Sequence, residues 1–267
     1  MAKTVAIGVQ DFAKLIKEDC FYIDKTNFIK EWWEGKDMVT LIARPRRFGK
    51  TMNMSMLDYF FSLEHADKKE LFEGLAIWQE ENYRQLQGTY PVINLSFARV
   101  KEVNYENTIK RLQEIIRGGF TKYHFLNESD LLLSGEKEYF NRILNGKADE
   151  VELTSSLYHL SDFLYRYYSK KAIILLDEYD TPMQEAYVGG FWDELVSFTR
   201  SLFNSAFKTN PYLERAIMTG ITRVSKESIF SDLNHLNVVT TTSTKYETAF
   251  GFTEPEVFAA LEEYARQ

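Results

Sequence analysis

Apolar residues along this chain fall into two patterns, short, mainly apolar runs and longer stretches in which they return at helical spacing. In DFAKLIKED (11–19) and FYIDKTNFIKEWWEG (21–35) the spacing predicts two short helices, the second with Phe28, Ile29, Trp32 and Trp33 on it and Thr26 as a cap. From Lys50 to about Ser62, Met52, Met54, Met56, Leu57, Phe60 and Phe61 predict a third. Further helices are expected at Asn107–Tyr123, Leu153–Tyr168, Phe191–Phe207 and Glu254–Ala265. Residues 127–150 are polar and read as an insertion or as loosely packed helices. The short apolar runs Val39–Ala43, Pro91–Phe97 and Ala172–Leu176, and Ala216–Ile221 after a turn at Pro211, read as strands. Strands alternating with helices imply a three-layer α/β fold, a mostly parallel central sheet flanked by helices.

Composition narrows the picture. The chain has 267 residues, 45% apolar and 27% charged, which excludes a disordered chain and fits one α/β core with insertions. A net charge of −7 argues against a general polyanion-binding surface and leaves Arg44-Pro45-Arg46-Arg47 as the densest basic patch. The one cysteine, Cys20, excludes a disulfide framework, and the four histidines lack H-x-x-x-H spacing, so no zinc site is expected. With no signal peptide and no long apolar span, the expected location is cytoplasmic, with no membrane partner.

Chemistry is concentrated after two of the strands. RPRRFGKT (44–51) ends as a phosphate-binding loop ends, but Arg44 stands where G-x-x-x-x-G-K-[ST] begins with glycine. A helix start after a strand is an anion site, because its first N–H groups lack partners and the dipole end is positive. There Gly49 admits the backbone to a phosphate, Lys50 reaches the β- and γ-phosphates, and Thr51 offers a hydroxyl to Mg²⁺. The alternative is a surface turn before an amphipathic helix.

The strand Ala172–Leu176 runs into Asp177-Glu178-Tyr179-Asp180. In a nucleotide site Asp177 orients water on Mg²⁺ and Glu178 polarises the attacking water. Buried carboxylates at a strand end are costly without a cation, which Mg²⁺ and Lys50 supply. At the end of Ala216–Ile221, Thr219 or Thr222 is a candidate to position the attacking water and Arg223 to sense γ-phosphate charge; a capping Thr and a solvated Arg are the plainer alternative.

Together FYIDKTNFI (21–29), LIARPRRFGKT (41–51), LFEGLAI (71–77), YPVINLSF (90–97), LLDEYDTP (175–182) and TGITRVSKESIFSDLNHL (219–236) resemble the AAA-ATPase-like family of P-loop proteins related to AAA+ and STAND ATPases. The arginines of the loop look like that family's form of it. The resemblance implies a P-loop NTPase fold of the additional-strand, catalytic-Glu class, bacterial or archaeal origin, and ATP and Mg²⁺ as ligands. It implies the roles given above for Lys50, Asp177 and Glu178 in catalysis and for Thr51 and Asp177 at the metal. Arg223 from the strand end is a further catalytic candidate, Asp180 a supporting acid, and Arg44, Arg46, Arg47, Phe48, Gly49, Lys50, Thr51, Met52 and Thr219 are the candidate nucleotide contacts; the three loop arginines either fold back on phosphates, pair with Asp180 or Glu178, or face a neighbouring chain or DNA. Tyr22, Asp24, Lys25 and Thr26 are candidates to lie against the base, or simply to cap and pack a helix.

The organisation expected is an N-terminal segment (1–37) packed on a P-loop ATPase core (38–253) with a helical insertion around 100–168, then the start of a lid or C-terminal region (254–267) whose remainder is missing. Family members often carry a C-terminal nuclease-like domain. No Pro-Asp pair occurs in this chain, so no nuclease chemistry is assigned to it. Alternatives are a nucleotide-gated interaction module with little hydrolysis, or a DNA-associated protein using the RPRR loop. A protein partner or DNA is expected to act through the missing C-terminal region.

Overall fold

The computed structural model describes residues 3–221, 229–230 and 232–265. In chain order the main elements are α1 (Phe12–Lys17), α2 (Asn27–Gly35), β1 (Val39–Ala43), α3 (Lys50–Phe61), α4 (Glu81–Leu86), β2 (Val92–Ser96), α5 (Tyr105–Lys122), α6 (Phe125–Glu128), α7 (Ser134–Leu144), α8 (Glu150–Thr154), α9 (Ser156–Tyr168), β3 (Ala172–Asp177), α10 (Thr181–Gly189), α11 (Trp192–Phe207), β4 (Leu213–Gly220), β5 (Leu236–Val239) and α12 (Glu254–Ala265). The chain clusters into two compact units, one of residues 1–36, 44–89 and 239–267, the other of 37–43 and 90–238.

The second unit is built on a five-stranded sheet in the order β2-β3-β4-β1-β5. The β2–β3, β3–β4 and β4–β1 pairings are all parallel. Parallel strands are covered on both faces, so their sequences stay apolar without alternation: every residue of β1 and β3 is buried. β2, at the sheet edge, exposes Asn94 and Ser96. The registers Ala43↔Gly220 and Leu176↔Met218 bring the ends of β1, β3 and β4 to one edge of the sheet. Each such strand residue removed from water contributes roughly 1.5–3 kcal/mol.

Residues 127–150 depart from the expected loose insertion. Tyr139, Phe140 and Ile143 of α7 and Leu153 of α8 are buried in the core, and the Phe120 and Phe140 rings lie 4.9 Å apart. The helix expected over Leu153–Tyr168 is broken at Ser155, the junction of α8 and α9. β4 starts at Leu213, three residues before the apolar run that announced it.

The first unit has an aromatic core. Phe12 stacks on Phe72 at 5.2 Å, Trp33 on Phe61 at 5.1 Å, and Phe28 meets Tyr246 and Phe250 edge-on at 5.1 and 5.0 Å. Thr26 stands at the start of α2 without capping it, contrary to expectation: its hydroxyl donates to Asp24 Oδ1 at 2.6 Å and accepts from the Ile77 N–H at 3.1 Å.

Candidate functional site

β1 ends at Ala43 and Arg44 follows it directly into a loop that closes at Gly49 and opens α3 at Lys50. Two loop residues adopt left-handed backbone, Arg47 at φ +66° and Gly49 at φ +76°. Glycine takes that conformation at no steric cost, whereas an arginine held there is disfavoured by about 1–2 kcal/mol. Lys50 is buried, and its amine folds back onto the loop, donating to the carbonyls of Arg44 at 2.9 Å and Pro45 at 2.8 Å. The loop is thereby tied into a ring in front of the first turn of α3, whose amides have no intrahelical acceptor.

Arg44 is 5% exposed, and its Nε and Nη2 have no hydrogen-bond partner among the described residues. Burial pushes its guanidinium below the ordinary arginine pKa. Arg46 and Arg47 are exposed. Phe48 lies over Gly251, where an added Cβ would come within 3.0 Å of its ring, and the Gly251 N–H donates to the Phe48 carbonyl at 3.1 Å. Thr51 and Met52 are half-buried in the first turn of α3, and Asn53 ties that helix to the Ala249 carbonyl at 2.8 Å.

In the sheet unit, Asp177 ends β3 and is buried, while Glu178 is half-exposed with φ at +52°. Thr219, fully buried in β4, donates its hydroxyl to Asp177 Oδ1 and accepts the Glu178 N–H at 3.2 Å on the same oxygen. Its carbonyl takes the Tyr179 N–H at 2.9 Å. Glu178 Oε2 accepts from the Thr181 hydroxyl at 3.1 Å, and Asp180, also fully buried, accepts the Ile221 N–H at 2.9 Å and the Gln184 amide at 3.1 Å. Asp177, Glu178 and Thr219 therefore form one bonded cluster, with the Thr219 hydroxyl on the Asp177 carboxylate and the Glu178 N–H, and Asp180 is bonded beside it to Ile221 and Gln184. Thr181 belongs to it too; the Asp-Thr-Pro sequence that starts α10, with Pro182 in the first turn, was the available signal.

Thr222 and Arg223 lie outside the described residues. Tyr22, Asp24, Lys25 and Thr26 do internal structural work: Asp24 accepts the Ala76 N–H at 2.7 Å, Tyr22 accepts the Lys25 N–H at 3.1 Å, and the Lys25 amine holds both oxygens of Glu256 at 2.6 and 2.7 Å and the Thr248 carbonyl at 2.7 Å. Packing, the alternative to base contact, accounts for these bonds.

The two clusters offer different chemistry. One is cationic, built around a helix start with backbone amides, an ammonium and a guanidinium; the other supplies a buried carboxylate beside a half-exposed one. A family model described as "Predicted AAA-ATPase" matches residues 6–230. A protein of Azotobacter chroococcum mcd 1, described as "Uncharacterized protein in vnfD 5'region", is 27% identical over 261 residues, 97% of this chain and 45% of that protein. The chain thus spans a little under half the length of this relative. No solved structure matches the chain.

Proposed function

The chain belongs to the AAA-ATPase-like family, and on that premise we propose that it binds ATP with Mg²⁺ and hydrolyses it to ADP and phosphate, turnover driving a conformational switch. In this reading Gly49, Lys50 and the first amides of α3 bind the β- and γ-phosphates, with Phe48 and Met52 bordering the nucleotide. Thr51 and Asp177 would hold Mg²⁺, which would supply charge neutralisation for the phosphate oxygens. Glu178 orients a water for in-line attack and takes up its proton. Thr219 backs the two acids, and Arg223 senses the γ-phosphate.

The observation that carries the reading is the buried guanidinium of Arg44, whose Nε and Nη2 lack hydrogen-bond partners among the described residues. A desolvated cation is retained at a cost of several kcal/mol unless an anion meets it. It sits at the head of a loop whose ammonium, helix start and left-handed turns all favour a polyphosphate. Arg46 and Arg47, exposed on the same loop, extend the positive field to an incoming nucleotide.

Glu178→Gln tests the catalytic half. Phosphate release falls by roughly 100-fold or more, with ATP affinity within a few-fold of wild type. One contact favours a second reading, a nucleotide-gated interaction module with slow hydrolysis: the hydroxyl of Thr181 occupies Glu178 Oε2. Turnover unaffected by Glu178→Gln supports that module and contradicts the hydrolase.

A further inference from the structure

Thr219, Gly220 and Ile221 meet the acidic segment 177–180 residue by residue. The Thr219 side chain bridges Asp177 Oδ1 and the Glu178 N–H, its carbonyl takes the Tyr179 N–H at 2.9 Å, and the Ile221 N–H reaches Asp180 Oδ2 at 2.9 Å. Between them Gly220 leaves the room the segment needs: a Cβ there would lie 2.7 Å from the Tyr179 ring and 2.8 Å from Asp180 Oδ1. Glu178, the residue at the centre, has its backbone at φ +52°. A glutamate adopts that conformation only when its surroundings hold it there.

We propose that Thr219 is a positioning residue: its one hydroxyl, by donating to Asp177 and accepting from the Glu178 amide, holds Glu178 in the left-handed conformation from which its carboxylate acts. This deepens the ATPase reading above and rests on it. The hydroxyl is spent on the Asp177 carboxylate and the Glu178 backbone N–H, so its action on substrate passes through Glu178. The geometry explains why a polar residue is fully buried at a strand end, directly after the apolar Ala216, Ile217 and Met218. A valine there has the same shape and no hydroxyl; it leaves the Glu178 N–H and Asp177 Oδ1 each short of one bond. A serine keeps the hydroxyl and loses only a methyl group.

The test compares Thr219→Val and Thr219→Ser with wild type, each checked for an unchanged melting profile. Thr219→Val lowers kcat by roughly tenfold or more while KM for ATP stays within about twofold, because orientation of the acting group is lost and nucleotide binding is not. Thr219→Ser returns kcat to within a few-fold of wild type. Hydrogen exchange reads the brace without turnover: in the valine variant the Glu178 amide exchanges faster while the Tyr179 amide, bonded to the Thr219 backbone, keeps its protection. Equal kcat in wild type and Thr219→Val, a serine variant as impaired as the valine one, or unchanged Glu178 exchange overturns the proposal. Failure of the ATPase reading is separate: a wild type that neither turns over ATP nor binds it through Lys50 leaves the exchange measurement to decide the brace.

Discussion

At Arg47 the loop holds a side chain in backbone that suits glycine, at φ +66°. Because the side chain is exposed, Arg47→Gly removes strain without opening a cavity, and the account predicts a gain of about 1 kcal/mol in urea unfolding. Arg44 is the opposite case. Replacing its buried, incompletely bonded guanidinium with methionine is expected to raise ligand-free stability by about 1 kcal/mol while weakening ATP affinity at least tenfold, read by melting and by titration calorimetry. A variant that loses stability and keeps affinity would make Arg44 a structural residue. The candidate site was legible as far as its chemistry demands particular residue types, Gly49-Lys50-Thr51 after one strand and Asp177-Glu178 after another. The inward commitment of Thr219 was not legible, because the sequence shows a polar residue at a strand end without showing that the neighbouring strand puts carboxylates beside it.

Among the elements, α12 is fixed at its start by Lys25, whose amine grips both oxygens of Glu256, while Glu256 also accepts the Thr253 N–H at 2.7 Å. Burial pushes the Glu256 carboxyl up, but the bonds from Lys25 and Thr253 outweigh it and hold the group below the usual carboxylate range. A depressed folded pKa means that the pin contributes fully above the ordinary glutamate value of about 4.3 and is lost as pH falls below it through the folded value. The melting temperature of wild type should therefore drop more on acidification from pH 6 to pH 3 than that of Glu256→Gln. Equal slopes would remove the pin from the account. Elements were legible in proportion to how purely one environment wrote them. The mainly apolar run of β1 marked its limits to the residue, whereas β5, four residues of which three are only part-buried, and α10, opening directly after a run of acids, carried no comparable periodic signal. α7 was underestimated because exposed polar residues outnumber its three buried ones, Tyr139, Phe140 and Ile143.

For the whole molecule, the parallel sheet and its covering helices followed from the alternation of strand and helix, and family membership follows from motifs spread over most of the chain. The grouping of residues 44–89 with the two ends of the chain, and of 37–43 with 90–238, was not legible, since it depends on contacts between segments far apart in sequence. No helix among the described residues is long and apolar enough to cross a membrane. The central claim is that the loop from Arg44 to Thr51 binds the phosphates of ATP, and the most direct measurement is thermal unfolding with ATP and with GTP, each with and without Mg²⁺, on wild type and Lys50→Ala. Binding to the folded state alone raises stability by about 2.7 kcal/mol at a hundredfold excess over Kd. The account predicts a Mg²⁺-dependent rise with ATP in wild type that Lys50→Ala abolishes; no rise with any nucleotide, or an equal rise in both proteins, would contradict it.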